Sequence, residues 1–198
     1  MSPMSPDPTA TPVPAEVKAT VDSADTTLHN PRHAVIALGS NLGNRLETLQ
    51  GAVDALEDTP GVRVKAVSAV FETDGVGGPE DQPAYLNAVL LLKTTLPPQS
   101  LLERANAIED AFGRVRTVRW GPRTLDVDIV AYEGVQQDVP ELILPHPRAH
   151  ERGFVLAPWL DADPEAQLQG HGPVAQLLAA VGAEGVRKRE DLGLHLPR

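Results

Sequence analysis

The stretch RWGPRTLDVDIVAY, residues 119–132, decides the fold because it contains the clearest strand in the chain. In it the apolar residues Val127 and Ile129 alternate with two aspartates, Asp126 and Asp128. A period of two is typical of a β-strand, so the carboxylates are predicted on one face and the apolar side chains on the other. Two carboxylates about 7 Å apart on one strand repel each other. Mg²⁺ relieves such repulsion and commonly binds one or two carboxylates together with substrate phosphates.

The residues just before this strand reverse the local charge. GRVRTVRWGPR, residues 113–123, contains four arginines and no acidic residue, whereas the whole chain has a net charge of −10. The guanidinium group matches phosphate oxygens in shape and charge. An arginine-rich loop that leads into paired carboxylates is typical of polyphosphate transfer, in which cations neutralise the charge on the moving group. Paired aspartates alone more often form a solvated strand face, so the interpretation depends on both features occurring together.

Hydrophobic periodicity along the rest of the chain predicts strands and helices in a recognisable order. The predicted elements are strands at 33–39, 62–73, 85–95 and 125–132, a helix between Gly43 and Pro60, and a helix at 97–113. Strand, helix, strand, strand, helix, strand is the order of a ferredoxin-like fold. We therefore predict an α+β fold, a ferredoxin-like sandwich in which helices pack on an antiparallel sheet. Two helices would cover one face, and residues 133–144 would add a strand or a hairpin.

Four motifs together carry a resemblance to a known family: RWGPRTLDVDI, IALGSN (residues 36–41), DQPAYLNAV (81–89) and PHPRAHERGFVLAP (145–158). With these motifs in order, residues 33–165 resemble the 6-hydroxymethyl-7,8-dihydropterin pyrophosphokinases of folate biosynthesis. The resemblance implies the ferredoxin-like fold. It also implies transfer of pyrophosphate from the co-substrate ATP to the hydroxymethyl group of the pterin, with release of AMP and dependence on two Mg²⁺ ions.

The resemblance implies a role for each matching residue. Metal binding falls to Asp126 and Asp128, which are catalytic together with Arg114 and Arg123. ATP contacts are implied for Asn106, Glu109, Arg116, Arg119, Trp120, Ile129, His146 and Arg152. Pterin contacts are implied for Tyr85 and Phe154, which would stack on the ring, for Asn87 at its polar edge, and for Thr73 and Val76. The chain departs from the family's common residues at Asn106, Pro147 and Glu141, all on the ATP side.

Two other functions stay open on the sequence. Nucleotidyl transfer also uses paired aspartates and two metals, but it releases pyrophosphate instead of AMP. A pterin- or nucleotide-binding module without catalysis would tolerate loss of Asp128. Tyr85 and Phe154, taken without the resemblance, are more simply core residues.

Length and composition limit the organisation of the chain. The 198 residues divide into a disordered tail rich in Pro, Ala and Thr at 1–32, a pyrophosphokinase catalytic domain at 33–166, and a C-terminal helix and loose tail at 167–198. The acidic net charge argues against nucleic-acid binding. No apolar run is long enough for a membrane span, and there is no signal peptide pattern or cysteine. We expect a cytoplasmic monomer that binds small molecules.

Overall fold

The computed structural model describes residues 30–74, 83–113 and 125–197. Its first part has the predicted order of strands and helices. The elements are β1 (Arg32–Ser40), α1 (Arg45–Glu57), β2 (Val62–Val67), β3 (Phe71–Thr73), β4 (Tyr85–Thr94), α2 (Pro98–Ala111) and β5 (Asp126–Tyr132). Each helix begins with a recognisable signal. The Asn44 side chain accepts a hydrogen bond from the Glu47 N–H at the start of α1, and proline occupies the first turn of α2.

The second part of the chain adds small elements around the sheet. A hairpin of β6 (Gln137–Val139) and β7 (Leu142–Leu144) follows β5, as predicted for residues 133–144. After it come a short 3₁₀ turn (Ala149–Glu151) and α3 (Gly153–Ala162). The remaining elements are β8 (Gln167–Leu168), β9 (Gly172–Pro173), α4 (Val174–Val181) and β10 (Val186–Lys188). Among the described residues, no helix is long and apolar enough to cross a membrane.

The main sheet is antiparallel and has the strand order β10-β3-β4-β1-β5, with β2 also paired to β4. The continuous strand expected at 62–73 is divided into β2 and β3. Ser68 lies at the break, where its N–H donates to the Val89 carbonyl at 2.9 Å. Its hydroxyl accepts the Val89 N–H, also at 2.9 Å. Because the side chain satisfies the backbone of β4, the strand can be interrupted without leaving a buried amide unpaired.

The two faces of the sheet carry separate hydrophobic clusters. Helices α1 and α2 cover one face, and the cluster there includes Ile36, Leu90 and Leu101. Helices α3 and α4 cover part of the other face, with Val89 and Trp159 in its cluster. Two helices on one face and later elements on the other confirm the predicted α+β, ferredoxin-like sandwich. One end of this second face carries Asp126 and Asn87, which lie in one row across the sheet.

The C-terminal residues pack on the domain, which differs from the expectation of a loose tail. The predicted helix is present as α4, and β10 then pairs with β3 at the edge of the sheet. Farther on, Leu192 and Leu194 pack against the cluster under α1. The side chain of Gln50 exchanges two hydrogen bonds with the backbone of His195, at 2.9 and 3.0 Å. The last described residues therefore lie along α1. The predicted N-terminal tail falls mostly outside the described residues.

Candidate active site

One row of residues across the sheet brings the predicted metal ligands and pterin contacts to the same face. In the strand register Asp126 lies opposite Gly39, Gly39 opposite Asn87, and Asn87 opposite Phe71. Directly opposite residues of antiparallel strands project to the same face, so Asp126 and Asn87 share one. They are two strand spacings apart, roughly 10 Å. Gly39 lies between them and contributes no side chain, which leaves an open floor.

The carboxylates alternate with buried apolar residues as the sequence predicted. Asp126 is half-buried and Asp128 exposed, whereas Val127 and Ile129 are buried beneath α1 and α2. Two carboxylates therefore project from one strand toward the open face. Ile129, predicted to contact ATP, has its side chain on the opposite face, so the structure does not bring that side chain together with the carboxylates.

Glu109 supports the strand from behind. The residue is only 4% exposed, and its Oε1 accepts the Val127 N–H at 2.8 Å. Val127 lies between the two aspartates, so this bond fixes the backbone that carries both of them. Asn106 lies one turn earlier on α2 and is exposed. The ATP contacts predicted for Asn106 and Glu109 stay predictions, and the support of β5 was not foreseen. The signal was the helical spacing that places Glu109 beside Ala105, on the buried face of α2.

The positive side of the site comes from the chain between β7 and α3. The Arg152 guanidinium lies 5.6 Å from the centroid of the Phe154 ring, a cation–π geometry. Burial and the charge of Arg148 lower the pKa of Arg152, while the charges of Asp128 and Asp126 act in the opposite direction. Arg152 is therefore close enough to both carboxylates to interact with them electrostatically. Its predicted contact with ATP stays a prediction.

His146 is held as a neutral ring. The backbone N–H of His146 donates to the Val130 carbonyl at 2.8 Å, and its ring Nδ1 accepts the backbone N–H of Arg148 at 3.1 Å. Burial lowers the pKa of His146 to about 4, and the charges of Arg152 and Arg148 add to this effect. A neutral imidazole that accepts at Nδ1 carries its proton on Nε2. That nitrogen is therefore a hydrogen-bond donor at neutral pH.

The predicted pterin contacts lie where β3 and β4 meet. Asn87 is 6% exposed, and its Nδ2 donates to the Thr73 Oγ1 at 2.8 Å. This bond fixes the amide orientation. A Cβ atom built on Gly39 would lie 3.2 Å from Asn87 Oδ1 and 3.7 Å from Tyr85 Cδ1. The absence of a side chain at Gly39 therefore makes room beside Asn87, a role that the motif IALGSN did not indicate.

Tyr85 and Phe154 are both half-buried. Phe154 packs at the margin of the cluster beneath α3, and Tyr85 begins β4. Their stacking on a pterin ring stays a prediction. The remaining predicted site residues lie outside the described residues: Arg114, Arg116, Arg119, Trp120 and Arg123 in the arginine-rich loop, and Val76 between β3 and β4.

A family model and individual known proteins both resemble this chain over most of its length. The sequence model of the family described as 7,8-dihydro-6-hydroxymethylpterin-pyrophosphokinase (HPPK) matches residues 35–164. A protein of Methylorubrum extorquens is 43% identical over 157 residues, which is 79% of this chain and 98% of the relative. One of Pseudomonas aeruginosa is 44% identical over 153 residues, covering 77% of this chain and 94% of the relative. Both are named 2-amino-4-hydroxy-6-hydroxymethyldihydropteridine pyrophosphokinase.

Solved structures show the same fold. The crystal structure of wild-type Plasmodium falciparum HPPK-DHPS with pteroate superposes with a TM-score of 0.61 at 14% identity. The match covers 78% of this chain and 43% of that one, so the chain spans less than half of the longer protein. At this identity the likeness concerns the fold alone.

Proposed function

Because the chain belongs to the 7,8-dihydro-6-hydroxymethylpterin-pyrophosphokinase family, we propose that it transfers pyrophosphate from ATP to the hydroxymethyl group of 6-hydroxymethyl-7,8-dihydropterin. AMP is the second product, and the reaction depends on Mg²⁺. The pyrophosphokinase activity in folate synthesis is that of the family. The row Asp126–Gly39–Asn87 carries the proposal for this chain, because it sets a carboxylate roughly 10 Å from a fixed amide across an open floor.

The donor set on β5 fits magnesium. Asp126 and Asp128 are hard oxygen ligands on one face of the strand. Within residues 30–74, 83–113 and 125–197, no group of three or more His, Cys, Asp or Glu side chains could hold a metal ion. Two carboxylates suit Mg²⁺, which takes its other ligands from phosphate oxygens and water. Bound there, Mg²⁺ would neutralise charge on the triphosphate.

The positive residues would orient the triphosphate. Arg152 offers a planar set of donors to phosphate oxygens, and its contact with the Phe154 ring limits its movement. His146 would donate from Nε2 to a phosphate oxygen as a neutral group. Arg114 and Arg123 are proposed to stabilise the transferring pyrophosphoryl group on the strength of the sequence motif.

The pterin would lie at the other end of the row. Asn87, fixed by Thr73, would hydrogen-bond the polar edge of the ring, and Tyr85 and Phe154 would contact its faces. In the reaction the hydroxymethyl oxygen attacks the β-phosphorus of ATP, the bond from that phosphorus to the α–β bridging oxygen breaks, and AMP leaves. The hydroxyl proton passes to solvent. The residues of the site contribute mainly by positioning the reactants and stabilising charge.

The experiment is AMP formation from ATP in the presence and absence of 6-hydroxymethyl-7,8-dihydropterin and Mg²⁺. Asp128→Asn is the test variant, and Asp138→Asn on the exposed strand β6 is its matched control. We expect AMP only when pterin and metal are both present. We expect Asp128→Asn to lose about 100-fold or more in turnover, by comparison with loss of other charge-stabilising groups, while Asp138→Asn remains at the wild-type rate. Full activity of Asp128→Asn, or wild-type enzyme without AMP, would contradict the proposal.

We also propose a cytoplasmic monomer that does not bind nucleic acid. The net charge of −10 argues against nucleic-acid binding, and a chain without cysteine fits the reducing cytosol. Gel filtration combined with light scattering would test the oligomeric state.

A further inference from the structure

A single guanidinium nitrogen joins the two strands that lead into and out of residues 75–82. Arg45 is the first residue of α1. Its Nη1 donates to the Ala84 carbonyl at 2.6 Å and to Glu72 Oε2 at 3.3 Å. Glu72 precedes Thr73 at the end of β3, and Ala84 precedes Tyr85 at the start of β4. Arg45 therefore connects the neighbours of two proposed pterin contacts.

The connection is made from behind the site. In the pairing of β3 with β4, Thr73 lies opposite Tyr85 and Glu72 lies opposite Leu86. Leu86 belongs to the cluster beneath α1. Glu72 therefore projects toward α1, whereas Thr73 and Tyr85 project toward the open face. Arg45 lies on the α1 side of the sheet, opposite the open face. Any effect it has on substrate binding must therefore act through β3 and β4.

Glu72 is the acceptor at the centre of a positive cluster. Besides Arg45, it pairs with Arg187 at 3.3 Å and with Arg189 at 2.8 Å. Its side chain is only 17% exposed and that of Arg45 27%. Burial alone would raise the pKa of Glu72. The hydrogen bond from Arg187 and the charges of Arg189 and Arg45 outweigh this effect, so the pKa lies below its ordinary value. The carboxylate is ionised at neutral pH, and its bonds are charge-assisted.

We propose that Arg45 and Glu72 are positioning residues for the pterin end of the site, which hold Thr73 and Tyr85 at the separation that the ring requires. The proposal rests on the proposed function, since it assumes that these two residues contact the pterin. It assigns no substrate contact to Arg45 or Glu72. The proposed ATP side is built on β5 and the start of α3, whereas Arg45 and Glu72 bond to each other, to the residue before β4 and to the arginines at and just after β10.

The test compares Arg45→Ala and Arg45→Lys with Arg63→Ala, which removes another arginine–glutamate pair, between Arg63 on β2 and Glu57 at the end of α1. Steady-state kinetics would give kcat and the KM for each substrate. Thermal unfolding would show that each variant is folded. For Arg45→Ala we expect the KM for the pterin to rise at least about tenfold, which is the lower end of the effect of losing one charge-assisted hydrogen bond. The KM for ATP should stay within about twofold.

Arg45→Lys separates positioning from general stability. Both bonds of Arg45 come from one nitrogen, and a lysine ammonium has three donors. It should therefore restore much of the pterin affinity. Glu72→Gln keeps an acceptor oxygen but loses the charge, so its KM for the pterin should rise less than that of Arg45→Ala. If Arg45→Ala does not fold, Glu72→Gln becomes the test of the positioning role. An unchanged KM for the pterin in Glu72→Gln would then overturn the proposal.

The failure of this proposal is distinguishable from failure of the proposed function. If the wild type forms no AMP, the proposed function fails, and direct pterin binding measured by fluorescence replaces KM as the readout. If the wild type is active but Arg45→Ala keeps the wild-type KM for the pterin, the positioning role is wrong. An equal rise in KM for ATP and pterin would also overturn it, because a general structural defect would have that result.

Discussion

Replacing Glu109 with alanine should weaken the strand that carries the two aspartates. The carboxylate is buried, and its Oε1 accepts the Val127 N–H at 2.8 Å. Val127 belongs to β5, which is at the edge of the main sheet and pairs with β1 on one side only. Alanine offers no acceptor, so the buried N–H would lose its partner.

The expected loss of stability follows from the hydrogen bond between Glu109 and the Val127 N–H. A hydrogen bond to a charged group contributes about 1.5–3 kcal/mol to stability. For a domain of this size each kcal/mol corresponds to about 2–4 °C in Tm. The free energy of unfolding of Glu109→Ala should therefore fall by about 1.5–3 kcal/mol and the Tm by about 3–12 °C. Turnover should fall as well, because the backbone between Asp126 and Asp128 is no longer fixed.

The assay is urea unfolding followed by circular dichroism, with kcat measured on the same preparations. Glu109→Gln is the control, since its side-chain oxygen can still accept the Val127 N–H and its volume is nearly unchanged. We expect it to retain most of the stability. Wild-type stability of Glu109→Ala, or an equal loss in both variants, would refute the role given to this hydrogen bond.

Two further predictions concern the floor of the site and its neutral histidine. In Gly39→Ala the new Cβ would lie 3.2 Å from Asn87 Oδ1 and press on it. The KM for the pterin should therefore rise several-fold, while the KM for ATP stays near the wild-type value. Equal KM values for the pterin in wild type and variant would contradict the close approach. The pKa of His146 is about 4 in the folded protein against an ordinary value of 6.5, so between these pH values the unfolded chain binds a proton that the folded protein does not. Stability should therefore fall as the pH drops from about 6.5 toward 4, by up to about 1.4 kcal/mol per pH unit, and a urea titration of His146→Gln should show a shallower slope than the wild type.

Sequence periodicity predicted the strands and their order because each strand has a regular alternation or a buried apolar run. The placement of Asp126 and Asp128 on one face follows directly from a period of two, and the structure confirms it. The break at Ser68 has no such signal, since apolar residues continue on both sides of it. It depends on a hydrogen bond to Val89, which only the paired strand reveals.

Contacts between residues far apart in the sequence account for the other differences between the predicted and the observed structure. In the sequence, β10 and the residues after it look like a charged, loose segment. In the structure, Arg187 and Arg189 bond to Glu72, more than a hundred residues earlier in the chain. The resemblance implied an ATP contact for Glu109, but the residue is buried on α2, where a glutamate needs a partner. Its partner is a backbone amide on another strand. Local patterns show neither long-range partner, although helical spacing does place Glu109 on the buried face of α2.

The central claim is that the site transfers a pyrophosphoryl group as a unit, and the most direct measurement is the identity of the products by phosphorus NMR. With ATP, 6-hydroxymethyl-7,8-dihydropterin and Mg²⁺, the account predicts equal amounts of AMP and pterin diphosphate, with no free pyrophosphate. Free pyrophosphate together with a nucleotidylated pterin would contradict it and would establish nucleotidyl transfer at the same pair of aspartates.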